Sequence, residues 1–442
     1  MHLEPIVRSS SRTDALERGF DAVARRVAQP PPGMLRKGMR VHPLRSVLFA
    51  LAAAVPGCTS SDASGSDRAT VRDSAGITIV ETTRAAWTDS AAAWTIDPSP
   101  RLDIGIVDGA LPYLLDRVVG ATRLPDGRIV IANGGTNELR FFDSAGVHLQ
   151  SVGGTGEGPG EFEYVRALSR CGADSLFAHD LNWQVKLFTA DGEFVRQQLL
   201  QEPGSPRTPY QLACSPRGGF VISGWGMGDG PPQPGFSRAM TTVWLLDATG
   251  DSIGTIGAHL ASERLTSSTG SRPHPFGRTT VFAFGAEEVY LGDGSRFEVK
   301  RHARDGRLVG IQRAPPEDLS ITEDLLNAYR EDVLSRVSES LRPAFEREFR
   351  EMPLTDGVPA FTAIRLDPAE HVWVRRFTIP GETRETWGVF APDGIFLGHL
   401  TMPPRFTLLE IGSDYVLGLS RDEDGVQRVQ LHALDRRGER RS

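Results

Sequence analysis

The chain is poor in lysine, in cysteine and in long apolar runs, and each shortage excludes something. Only Lys37, Lys186 and Lys300 stand among its 49 basic residues. That skew is what a GC-rich genome produces without selection for guanidinium chemistry, so a single arginine is weak evidence for a site. With a net charge of −7 at pH 7 the chain lacks the basic footprint of a nucleic-acid binder, and nucleic acid is not expected as a partner. Its three cysteines form no paired Cys-x-x-Cys string, and no His-Glu-x-x-His string occurs, which removes the sequence support for zinc-ribbon and zincin chemistry. The ten histidines are scattered singly, the pattern of satisfied strand and turn residues rather than of ligands. What remains, with 39% hydrophobic and 24% charged residues, is the composition of a soluble globular chain.

The N-terminal 33 residues are polar and Arg-rich. From Met34 onward the pattern changes to Arg36, Lys37, Arg40 and Arg45, then an apolar stretch over 47–55, then Pro56, Gly57 and Cys58. This is the pattern of a signal peptide, and nine apolar residues are too few for a membrane span of about twenty. Residues 55–58 (VPGC) resemble the lipobox of bacterial lipoproteins, which implies that Cys58 is acylated and begins the mature chain. An ordinary secretory cleavage near the same place is the alternative. Residues 59–70 read as a flexible tether. Thr59 rather than aspartate after the cysteine implies passage to the outer membrane. Cys171 and Cys214 would then mature in an oxidising compartment, where a disulfide can join them, or they remain two buried thiols.

Residues 71–442 repeat themselves. A turn of the form hydrophobic-x-x-x-Gly occurs at 142–146 (FDSAG), 188–192 (FTADG), 246–250 (LDATG), 302–306 (HARDG), 390–394 (FAPDG) and 434–438 (LDRRG). Glycine supplies the positive φ of a hairpin turn and aspartate caps it. Alternating runs flank these turns, such as 138–142 and 184–188. Four short antiparallel strands per repeat, at a spacing of roughly 45 to 58 residues, is the pattern of propeller blades. The expected fold is therefore all-β, a six-bladed β-propeller. Its last repeat runs out after the turn at 434–438, one strand short. The strand-like Ile77-Thr78-Ile79-Val80-Glu81 is expected to complete it by pairing around Val426 to Leu431, closing the ring. The interval between the fourth and fifth turns is too long for one blade. Within 316–352, Ser320-Ile321-Thr322-Glu323 reads as a capping box, and Ile321, Leu325, Tyr329, Val333, Val337 and Leu341 recur at helical spacing, so a helical insertion is expected between blades 4 and 5.

The DG-type turns, together with the Gly-rich link at 152–162 (VGGTGEGPGEF), resemble NHL-like six-bladed propellers, in particular uncharacterised bacterial lipoproteins of that architecture. The resemblance covers roughly 73–438 and implies the fold, not a function, since this architecture hosts enzymes, receptors and scaffolds. The Gly-rich link lacks the Lys-Ser/Thr ending of a phosphate loop. On the face formed by the loops between second and third strands the expected ligand-binding residues are Asn133, Asn137, His179, Asp180, Asn182, Trp183, Trp225, Asp293, Arg296, Arg376 and Arg421. Mixed charge with two tryptophans suits a protein or a polar small-molecule or carbohydrate ligand. The reading is a non-enzymatic extracytoplasmic binding or scaffold module, held to the membrane only through its lipid. The alternative is a metal-dependent, lactonase-like hydrolase or lyase with its site at the channel mouth. No cofactor is expected; Asp422-Glu423-Asp424-Gly425 has the acidic density for calcium and is equally an exposed turn.

Overall fold

The structure is a computed structural model that describes residues 68–88, 93–172, 175–224, 226, 235–267 and 270–437. Cys58, the signal-like segment and Trp225 lie outside the described residues. The fold is all-β and propeller-like. Among the described residues the strands form six sheets, mostly four-stranded; four are built from consecutive strands, and two also take strands from the N-terminal part of the chain. Sheet 1 runs Val118–Arg123, Ile129–Asn133, Glu138–Phe142 and His148–Gly153. Sheet 2 begins at Val165–Arg170, sheet 3 at Gln211–Cys214, sheet 4 at Val281–Phe284, sheet 5 at Phe361–Leu366 and sheet 6 at Phe406–Ile411.

Strand Ile129–Asn133 shows why these sequences pack as they do. All five residues are buried, and their period-2 alternation divides them between two neighbours. Ile129 and Ile131 join Leu417 and Leu419 of sheet 6, while Val130 and Ala132 join Phe162 of the Gly-rich link and Leu168 of sheet 2. The same division recurs from sheet to sheet. Apolar clusters join sheets 2 and 3, 3 and 4, 4 and 5, and 5 and 6. The core is thus a set of inter-sheet seams. Each fully buried phenylalanine such as Phe141, Phe162 or Phe390 contributes roughly 2 to 3 kcal/mol.

The outer hairpins follow from the repeated turn. Asp143 accepts the N–H groups of Ala145 and Val147 through one carboxylate oxygen, and Gly146 sits at φ +84°. A β-bulge follows between Phe141 and Phe142, the geometry of a type I turn closed by a left-handed glycine. Gly192, Gly250, Gly306 and Gly394 repeat the positive φ, each beside a bulge. At 434–438 the glycine lies outside the described residues.

The N-terminal strands correct the expected pairing. Ile77–Thr82 does not reach the last sheet; it pairs in parallel with Leu308–Arg313 of sheet 4, and Ala69–Ser74 adds beyond it. The strand therefore begins at Ala69, inside the stretch read as tether. Sheet 6 is completed instead by Thr95–Ile104, antiparallel to Gln427–Asp435. That strand carries Pro98 and Pro100, which an edge position tolerates because its outward N–H groups have no ladder partner to lose.

Between sheets 4 and 5 lie helices α1 (Glu323–Arg336) and α2 (Arg342–Glu351). The N-cap of α1 is Thr322, which accepts from the Leu325 N–H, and not Ser320, whose hydroxyl donates to Asp318. Val337 and Leu341 fall outside the helices because the Ser338-Glu339-Ser340 segment and Pro343 favour a break. In sheet 3, strands Gly235–Leu246 and Ser252–Ser267 run far past their neighbours and, with Gly270–Pro273, form a projecting arm. Phe276, just after the arm, meets Tyr329 of α1 at 5.2 Å between ring centres, and Tyr329 meets Phe349 of α2 at 5.6 Å.

Candidate functional site

The sequence-selected residues separate into groups that use their polar atoms differently. In sheets 1 and 2 those atoms are engaged. Asn133 accepts from the Asp116 N–H at 2.8 Å and donates to Thr136, and it is buried. Asn137, at φ +56°, staples the Gly-rich link: it accepts from Val165 N–H and Arg117 and donates to Thr155 and the Glu163 carbonyl. Asp180 accepts the N–H groups of Asn182 and Gln184 and pairs with Lys186 at 2.7 Å, both side chains less than 5% exposed. The Asn182 amide donates to Glu163, and Trp183 stacks on His179 at 4.8 Å and 6°. Burial pushes the His179 imidazole below its ordinary value. These residues hold sheets and links together and leave little free for a ligand.

Asp293 and Arg296 are placed otherwise. They line a cavity of about 420 Å³ between the arm and sheet 4, a size that suits a small molecule. Met240, Ala258, His259 and Leu260 form the arm side; Glu298 and Lys300 join Asp293 and Arg296 on the sheet side. Arg296 pairs with Glu298 at 2.7 Å, and Glu298 also takes Arg313 at 2.6 Å. Burial opposes the Asp293 charge, but hydrogen bonds from Ser295 and the nearby Arg238 hold its carboxyl below the usual carboxylate range. Burial, then His302 and Lys300, lower the His259 imidazole. Its Nε2 atom is buried and has no hydrogen-bond partner among the described residues. A buried polar atom left unpaired costs about 1 to 3 kcal/mol, so this atom calls for an explanation. Sequence reading passed over His259, because a lone histidine in a strand carries no local signal.

The arm is fixed to the rest by charge. Glu263, almost fully buried, accepts from the Arg278 N–H at 2.7 Å and from its guanidinium, and Arg278 reaches Asp356 beyond the helices. Arg238 stands between Glu263 and Asp293 at 3.8 and 4.0 Å. A second cavity of about 450 Å³, lined by Glu202, Arg207 and Thr241, shares Met240 with the first.

The remaining predicted residues stay apart from this cavity. Arg376 pairs with Glu317, which also holds His399 at 2.8 Å. Arg421 is exposed and contributes its N–H to the Arg405 carbonyl. The Asp422 carboxylate caps its own turn through Asp424 and Val426 N–H groups, and Glu423 meets Arg405. Cys171 and Cys214 are joined by a disulfide with Cα atoms 5.7 Å apart, tying sheet 2 to sheet 3. Gly250-Asp251-Ser252-Ile253-Gly254 has the spelling of a nucleophile elbow, but it forms the hairpin turn and first residues of an arm strand. The chemistry needs a strand-to-helix turn, which is absent there. Among the described residues no three His, Cys, Asp or Glu side chains gather into a cation-holding group.

No protein-family profile and no curated protein matches the chain. Similar solved structures include a member of the DUF4221 family from Bacteroides vulgatus, 10% identical, covering 78% of this chain and 99% of its own at a TM-score of 0.46. A Bacteroides fragilis protein provisionally named an exported protein is 12% identical, covering 80% and 99% at 0.44. Regucalcin of Agrobacterium tumefaciens, named as calcium-binding, is 14% identical, covering 78% and 94% at 0.36.

Proposed function

We propose that this chain is a six-bladed, NHL-like propeller, exported and held to the outer membrane through a lipid on Cys58, that binds a polar small molecule without transforming it. The observation that carries the binding reading is the cavity beneath the arm, whose lining brings His259 together with Asp293, Arg296 and Lys300. Charges of both signs beside neutral donors suit a zwitterion or a carbohydrate better than an apolar ligand. Six seams that join each sheet to the next, with sheet 6 packed on sheet 1, support the blade count. The sequence at 55–58 supports the lipid.

Small molecules retained by the purified mature protein from envelope extract test the site. Mass spectrometry is expected to find a polar species on the wild type that is lost from His259→Ala and Asp293→Ala. Equal retention by wild type and both variants, or none by any, refutes the cavity reading. Turnover of lactones on adding a divalent cation would replace it with the hydrolase or lyase reading. Metabolic labelling with palmitate tests the anchor, and label that survives Cys58→Ser removes it.

A further inference from the structure

Three third strands carry a basic residue at the same place in the repeat. Arg140 pairs across the strands with Ile131, Lys186 with Ala178 and Lys300 with Leu291. Those partners stand two residues ahead of Asn133, Asp180 and Asp293, so the three positions are equivalent. Two of them are spent on the framework. Arg140 meets Glu138 at 3.1 Å and the carbonyl groups of Leu111, Pro112 and Leu114. Lys186 meets Asp180 at 2.7 Å. Lys300 is half-buried on the wall of the cavity under the arm, and among the described residues it has neither an ion pair nor a hydrogen bond.

The other charges on that wall are already matched. Arg296 and Arg313 share Glu298, and Arg238 stands between Glu263 and Asp293. Both bonds from Ser295 to Asp293 end on Oδ1, at 3.0 Å from the N–H and 2.7 Å from the hydroxyl. Asp293 Oδ2 has Arg238 at 4.0 Å, too long for a hydrogen bond, which leaves that oxygen open to a hydroxyl. The cavity of about 420 Å³ therefore offers an ammonium with three donors and no counter-ion, an acceptor oxygen, and the apolar side chains of Met240, Leu260 and Leu291. A ligand cation would meet Lys300 and Arg296 on the same wall. A ligand with one negative charge supplies the counter-ion that the chain does not.

We propose that the ligand of this cavity is a sugar acid, a hexose-sized ring bearing one carboxylate, held with its carboxylate on the Lys300 ammonium and a hydroxyl donating to Asp293 Oδ2. The assignment deepens the binding reading above and rests on it. An ammonium–carboxylate contact is charge-assisted, and partial withdrawal from water strengthens it. A neutral sugar keeps the hydroxyl contact and leaves Lys300 unpaired. An amino sugar brings a further cation beside it.

Calorimetric titration of the full mature protein with galacturonate, galactose and galactosamine at equal ionic strength tests the assignment, because the three share a ring and differ in charge. Galacturonate is expected to bind at least about tenfold more tightly than galactose, the size of one charge-assisted hydrogen bond, and galactosamine not at all. Lys300→Met keeps most of the side chain and removes its charge, and it should bring galacturonate down to the level of galactose. Lys300→Arg, which restores a cation, and Arg421→Gln, apart from the cavity, should keep the preference. A preference that survives Lys300→Met, or galactose bound by the wild type as tightly as galacturonate, overturns the assignment and leaves the cavity a binding site. Galacturonate that fails to bind overturns it too, and the retained-species measurement then decides the cavity reading by itself. Should Lys300→Met fail to fold, the order of the three sugars on the wild type decides, and any order but the expected one ends the proposal.

Discussion

Asp180 and Asp293 each stand at the end of a second strand, and each is followed by a Val-Lys pair in the next strand, at Val185-Lys186 and Val299-Lys300. In sheet 2 the aspartate and lysine meet as a buried pair at 2.7 Å. In sheet 4 they do not meet: Asp293 turns to Ser295 and Arg238, and Lys300 stands with it on the cavity wall. The loop from Asp293 is one residue longer, and the arm of sheet 3 rises beside it. One repeat spends its polar groups on itself, and its counterpart leaves them facing a space. Polar type and position in the repeat therefore do not identify a site; the hydrogen-bond account does.

The largest effect expected from breaking this contrast is at Asp180. Asp180→Ala strands Lys186 in an almost fully buried position and should cost about 3 to 5 kcal/mol in chemical unfolding. Asp293→Ala, at a half-buried group with softer partners, should cost less than about 1 kcal/mol. The double change Asp180→Asn with Lys186→Met should recover most of the first loss. Equal costs at the two aspartates would show the contrast to be superficial.

The disulfide comes next, since it joins the two regions. Cys171 and Cys214 are 43 residues apart, and releasing such a loop should cost roughly 2 to 4 kcal/mol. Unfolding of Cys171→Ala/Cys214→Ala under the same conditions measures it. A stability unchanged by reductant would mean that the apolar seam of Phe177, Phe220 and Leu246 alone holds sheets 2 and 3 together.

What could be read in the sequence follows from what acts locally. The Asp and Gly of each outer turn act within four residues, so the hairpins are visible at 142–146 and its repeats. Which strand completes sheet 6 was not visible, and the expected pairing was wrong. Ile77–Thr82 has the stronger apolar alternation, but edge pairing is made by backbone groups common to every residue, and Thr95–Ile104 is mostly exposed with two prolines. The arm also escaped notice, because the Ser/Thr/Gly cluster at 266–271 reads as an ordinary loop and nothing local says how far the strands beside it run. Asn133, Asn137 and Asp180 were chosen for polarity, and their saturation becomes visible only when Asp116, Thr155 and Lys186 are brought beside them.

A smaller effect separates the regions by pH. Burial lowers the imidazoles of His259, His274 and His302 in sheets 3 and 4 and the segments joining them, against His179 alone in sheets 1 and 2. Between the lowered native values and the ordinary value near 6.5 the unfolded chain binds more protons. This stability is fully present above the ordinary value and is lost as pH falls through the native ones. Melting temperature should fall on acidification from pH 7 to 5, and His302→Gln should flatten the fall more than a remote surface substitution. An unchanged slope would remove His302 from the effect.

The smallest expected effect is at Arg296, and it is the sharpest separation of binding from folding. Its side chain is 62% exposed and, among the described residues, its ion pair is to Glu298, which keeps Arg313 when Arg296 is lost. Exposed pairs of this kind are worth about 0 to 1 kcal/mol, so Arg296→Gln should move the unfolding free energy by no more than about 0.5 kcal/mol. The same change takes one positive charge from the cavity wall and leaves its shape nearly intact. A ligand held partly through its own negative charge should then bind the variant more weakly, with most of the loss in the dissociation rate because the ligand contact itself is broken. Unfolding and ligand retention measured on the same preparation give the answer. Loss of retention with unchanged stability places Arg296 on the ligand, and a stability loss of the size seen at Asp180→Ala would return Asp293, Arg296 and Lys300 to the framework and erase the difference between the two sheets.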